Sequence, residues 1–122
     1  MSLEISLLYL EKEPVFSEVA GEFLLKNGFK VITYPSFEMA QKLTNPAEYD
    51  IIIAHIALGE YDPLSKYCKR NKIPLVLAPS SETVYKIFEE EGIIHIGKTP
   101  IITGSWYLNL KPEDLAPYLK EQ

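Results

Sequence analysis

Residues 50–56 read Asp-Ile-Ile-Ile-Ala-His-Ile, an apolar run without polar alternation, and this run constrains the fold more than any other. A strand turns successive side chains to opposite faces, so a strand apolar throughout is covered on both of them. That places it in the middle of a sheet with helices packed above and below, the layering of parallel α/β folds.

The rest of the chain follows the same rhythm of short apolar runs alternating with amphipathic stretches. The first strand is read over Ile5 to Leu10. Pro14 opens a helix whose apolar residues Val15, Val19, Phe23 and Leu24 fall near helical spacing, and Asn27-Gly28 ends it. Lys30 to Tyr34 forms a second strand, and Ser36 caps a short helix running to Leu43. The third strand spans Asp50 to Ile56. Asp62-Pro63 starts a helix that reaches about Asn71, with an acidic cap followed by proline. Leu75 to Ala78 is strand four, Ser80 or Ser81 caps the next helix, and Ile93 to Ile96 is strand five. In the tail, Trp106, Leu108 and Leu110 alternate like a short extra strand near 105–110. Pro112 opens a final helix that Pro117 kinks or delays.

A chain of 122 residues accommodates one domain with one core, so 1–122 is read as a single domain. The opening Met1-Ser2-Leu3 reads as a cloning remnant, which suits a domain cut from a longer protein. No apolar run approaches a membrane span, and the N-terminus lacks a signal peptide's features. With the single cysteine Cys68, this points to a reducing cytoplasmic setting without an internal disulfide. A net charge of -5 argues against direct nucleic-acid binding. The basic group Lys66, Lys69, Arg70 and Lys72 reads as a solvated helix end, where cations are favoured. No cluster of Cys and His has the makings of a structural zinc site.

Taken together, the five alternating units, the strand Asp50 to His55, the strand Lys72-Ile73-Pro74-Leu75-Val76-Leu77 and the Gly92 to Lys98 stretch resemble a response-regulator receiver domain over about residues 4–100. The resemblance implies a doubly wound, flavodoxin-like five-stranded parallel sheet of order 2-1-3-4-5. It also places functional groups at the carboxyl ends of the strands, as in doubly wound sheets generally. Under that resemblance His55 stands where the phosphoacceptor aspartate belongs, and Glu11-Lys12 stands where an acidic pair holds Mg²⁺. A lysine ammonium there repels a divalent cation that seeks carboxylate oxygens. The switch positions fall on Ala78 or Pro79 and on His95, and only Lys98 keeps the family's residue. Phosphoryl transfer depends on positioning and metal charge compensation, so losing these groups together removes its steps.

Individual residues then admit more than one role. His55 reads as a rim histidine bonded to a loop carbonyl. As a phosphohistidine or general base it needs an orienting acid, and no Asp or Glu nearby in the sequence is placed to supply one. Lys12, His55, Ser80, Ser81 and Lys98 make a conceivable anion pocket, against a simpler arrangement in which Glu11 pairs with one lysine. Tyr85, Lys86, Glu89, His95, Trp106, Tyr107 and Tyr118 make a contact face on the fourth helix, fifth strand and final helix, or else part of them seals the core.

The expectation is therefore a pseudo-receiver that binds a protein partner, an output domain or a second copy of itself, with no catalysis, no metal and no cofactor. A small-anion or metabolite sensor is the alternative. An enzyme with a histidine nucleophile ranks last, for want of a partner acid.

Overall fold

A computed structural model describes residues 4–78 and 106–119. Strands β1 (Ser6–Glu11), β2 (Lys30–Tyr34), β3 (Ile51–His55) and β4 (Leu75–Leu77) pair in parallel in the order β2-β1-β3-β4. Between them run the helices α1 (Pro14–Lys26), α2 (Phe37–Leu43) and α3 (Tyr61–Asn71), and the tail carries a short helix α4 (Pro112–Leu115). This is an α/β fold consistent with the flavodoxin-like class. The fifth strand read at Ile93 to Ile96, and the helix before it, lie outside the described residues.

The period-2 pleat divides the core cleanly into two layers. Leu8, Leu10, Ile52, Ala54, Leu75 and Leu77 point to one face and pack against Phe37 and Ala40 of α2 and Tyr61, Leu64 and Cys68 of α3. Leu7, Tyr9, Ile51, Ile53 and Val76 point to the other, against Ala20 and Leu24 of α1 and Leu110 and Leu115 of the tail. β3 is buried on both faces until His55. At the opposite end of the sheet the Asp50 carboxylate accepts the Ser6 N–H at 2.9 Å and the Ser6 hydroxyl at 3.1 Å, tying the entries of β1 and β3 together.

The helix boundaries have chemical causes. Pro14 stands at the first turn of α1, and Gly28, at φ 106°, takes the left-handed conformation that follows the helix end. Ser36 caps α2, its hydroxyl accepting the Met39 N–H at 3.1 Å. The Glu60 carboxylate accepts from Phe37 N at 3.4 Å and Glu38 N at 3.1 Å, so α2 begins with its donors satisfied from two sides. Ser36→Ala is expected to lower stability by about 1 kcal/mol, read by urea denaturation, while Ser36→Asp should cost far less. α3 ends with Lys72 at φ 55°, and Lys69 and Arg70 occupy its last turn as the helix-end reading requires.

Three expectations are corrected. The sheet-facing stripe of α1 is Ala20, Gly21 and Leu24, whereas Val15 and Val19 are exposed by 72% and 38%. Residues 20, 21 and 24 lie nearly opposite 15 and 19 on a helix, and small side chains at the contact let α1 approach β2 closely. A Cβ on Gly21 would sit 3.6 Å from Thr33 Cγ2. Second, α3 begins at Tyr61 behind Glu60, with no side-chain cap, so Asp62 lies inside the first turn and pairs with Lys66 at 3.0 Å. Third, Trp106–Leu108 is a 3-10 turn and not a strand. It docks on the end of α1, where the Phe23 and Tyr107 rings lie 5.5 Å apart and Asn27 Nδ2 donates to the Tyr107 carbonyl at 3.0 Å. Those contacts override the alternation of Trp106, Leu108 and Leu110. Pro117 lies in a second 3-10 turn directly after α4, which interrupts the helix there.

Candidate functional site at the strand ends

Parallel pairing of β1 and β3 sets Glu11 directly opposite His55 in the register. The pairing is carried one residue further by the Lys12 N–H, which donates to the His55 carbonyl at 3.1 Å. Register partners project from the same face, so the two side chains meet at the carboxyl edge of the sheet. His55 Nδ1 lies 2.7 Å from Glu11 Oε2. Tyr9, two residues earlier and therefore on the same face, donates its hydroxyl to Glu11 Oε1 at 2.8 Å. The Glu13 backbone N–H donates to Oε2 at 3.1 Å.

Glu11 is only 4% exposed. Burial by itself pushes its carboxyl pKa up, but the hydrogen bonds from His55, Tyr9 and Glu13 outweigh that and hold it below the usual 4.5. The group is therefore a carboxylate with three donors, which assigns the proton between the pair to His55 Nδ1. In the neutral ring the remaining lone pair is on Nε2, and Nε2 is buried without a hydrogen-bond partner among the described residues. Burial and the neighbouring Glu11 raise the Tyr9 hydroxyl far above its ordinary range, so Tyr9 remains a donor. Beyond β3, the Tyr61 hydroxyl accepts the Ile56 N–H at 3.1 Å and donates to the Ala54 carbonyl at 3.5 Å. Its pKa is pushed up to about 12 by burial.

The arrangement is a carboxylate-oriented imidazole, held through Nδ1 and with Nε2 turned inward. A histidine held this way has a defined tautomer and one nitrogen reserved for a single neighbour. Three expectations fail here. An orienting acid for His55 does exist, and it is Glu11. The partner of that carboxylate is the imidazole, not a lysine, and the imidazole bonds to a carboxylate, not a loop carbonyl. The two residues stand 44 apart in the chain, so only the parallel register brings them together.

Lys12 diverges from this pair. Its side chain is exposed and lines a hollow of 370 Å³ between the first turn of α1 and the ends of β1 and β2, with Glu11, Pro14, Ser17, Glu18, Thr33, Tyr34 and Pro35. The structure thus brings Glu11 and His55 together and leaves Lys12 outside the pair. Ala78 is buried, its N–H donating to the Ala54 carbonyl at 2.9 Å, which extends the pairing of β4 with β3. Pro79, Ser80, Ser81, Tyr85, Lys86, Glu89, His95 and Lys98 lie outside the described residues, as do the side chains of Trp106 and Tyr118. Tyr107 is half-buried against Phe23, which commits its ring to intramolecular packing. Among the described residues, no three His, Cys, Asp or Glu side chains are grouped to hold a metal ion, and no helix is long and apolar enough to cross a membrane.

No family model matches the chain, and no curated protein matches it. Among solved structures it is similar to a sensor protein from Polaromonas sp. JS666, with a TM-score of 0.57 and 14% sequence identity. The match covers 73% of this chain and 77% of that one. At such identity the likeness shows the fold alone.

Proposed function

We propose that this chain is a receiver-like regulatory domain that works without aspartyl phosphorylation, as a protein–protein interaction module in signalling or transcription control. The observation that carries this reading is the Glu11–His55 pair. It fills the place at the carboxyl edge of β1 and β3 where the receiver resemblance implies a metal and a phosphoacceptor. The Glu11 carboxylate already accepts three hydrogen bonds. Mg²⁺ would compete with these donors for the carboxylate, and each buried donor it displaced would cost roughly 1–3 kcal/mol. Nε2 of His55 is enclosed, which disfavours the enzyme reading even though the partner acid is present. The likeness to a sensor protein is compatible with a signalling role. The contact face proposed for partners or a second copy carries Tyr85, Lys86, Glu89 and His95 with the tail residues Trp106 and Tyr118, and a cytoplasmic location goes with it.

The test is incubation of the 122-residue chain with an acyl phosphate and Mg²⁺, followed by intact mass measurement. The expected result is no phosphoryl adduct. An adduct mapped to any side chain would return the domain to phosphorylation-dependent signalling.

A further inference from the structure

The hollow beside α1 adjoins the Glu11–His55 pair through Glu11 and holds unspent chemistry of its own. Its wall carries one ammonium, Lys12, and a carboxylate, Glu18, on exposed side chains. Neither group forms an ion pair among the described residues, although they share one concavity. The hydroxyls of Ser17 and Thr33 also line it and have no hydrogen-bond partner among the described residues. Glu11 reaches the same wall, but its oxygens are occupied by Tyr9, His55 and Glu13. Pro14, Tyr34 and Pro35 supply the apolar surface.

We propose that this hollow binds a small zwitterion, an α-amino acid with a short apolar side chain. A simple anion would meet Glu18, and a simple amine would meet Lys12. A molecule carrying both charges answers both and leaves neither facing its like. Charge-assisted hydrogen bonds are the strong ones, so the two ends fix orientation, and the hydroxyls complete it. The apolar side chain then covers the prolines and the Tyr34 ring. A volume of 370 Å³ lies within the range of small-molecule sites and is ample for such a ligand. The hollow lies outside the carboxyl ends of β1 and β2, the sheet edge at which open α/β folds take ligands, beside the β1/β3 switch point. This site stands whether or not the domain is a pseudo-receiver.

The test is an amide NMR titration of the intact chain with L-valine, and with isobutylamine and isovalerate, which lack its carboxylate and its amine respectively. Saturable shifts confined to residues 12–18 and 33–35 are expected with L-valine, with neither analogue reproducing them. Lys12→Met and Glu18→Gln are each expected to weaken binding by roughly tenfold or more, as loss of a charge-assisted bond does. Both positions are exposed, so the amide spectrum outside the hollow should keep its dispersion. The proposal is overturned if L-valine gives no saturable shifts there. It is equally overturned if either analogue binds as well as L-valine, or if both variants bind like the parent.

Discussion

Glu11→Ala is expected to destabilise the fold by about 3–5 kcal/mol, because several hydrogen-bond donors lose one acceptor at roughly 1–3 kcal/mol for each that is left buried and unpaired. The loss has three parts, because the Tyr9 hydroxyl, the Glu13 N–H and His55 Nδ1 all lose the same acceptor. Tyr9→Phe removes one donor and leaves the carboxylate with two, so it should cost only about 0.5–1.5 kcal/mol. Urea denaturation at neutral pH measures both. Equal losses in the two variants would mean that Glu11 is merely packed there.

The same pair dictates an acid limb. The folded-state pKa of Glu11 is depressed below 4.5, so its stabilising contribution is fully present above that value. It is lost as pH falls from about 4.5 through the lower folded value. Glu11→Gln cannot titrate there. The stability gap between parent and Gln variant should therefore narrow in that window. A gap that widens on acidification would reverse the assigned direction.

The second large effect lies in the central strand. Ile53 is fully buried between β1 and β4 on the α1 face, and Ile53→Ala should cost about 2–5 kcal/mol through lost burial and the cavity left behind. Val15→Ala, at a position 72% exposed, should change stability by no more than about 0.5 kcal/mol. The contrast separates the two possible faces of α1, since equal costs would put Val15 in the core.

What could be read directly from the residues was governed by local chemistry. The uninterrupted apolarity of 51–54 marks a central strand because no other position tolerates it. Pro14, Gly28 and Ser36 mark helix ends because each answers a specific backbone demand. The failures arise where tertiary contacts decide. Asp62-Pro63 has the signature of a helix start, yet Glu60 lies closer to α2, where its carboxylate is engaged by the Phe37 and Glu38 amides. Val15 and Val19 look like a buried stripe because hydrophobicity is counted, whereas Ala20 and Gly21 form the contact because they are small. The Trp106–Leu108 alternation yields to docking on Phe23 and Asn27.

The Glu11–His55 pair was half visible. A strand reading Ser-Leu-Leu-Tyr-Leu-Glu ends in a carboxylate with tyrosine two residues before it, a same-face spacing that signals a satisfied buried acid. His55 ends the neighbouring strand in the same way. The register that joins them depends on how β1 and β3 are aligned, and Asp50 sets that alignment from the far end through Ser6. Short-range patterns do not carry such information.

The most direct measurement is a long-range ¹H–¹⁵N spectrum of the histidine rings, recorded before and after Mg²⁺ and beryllofluoride are added. The pairing requires His55 in its Nδ1–H tautomer, with that proton hydrogen-bonded and unchanged by the additions. An Nε2–H tautomer, or a His55 ring that shifts only when metal and beryllofluoride are present together, would contradict it. The strand ends would then be a working metal and phosphoryl site.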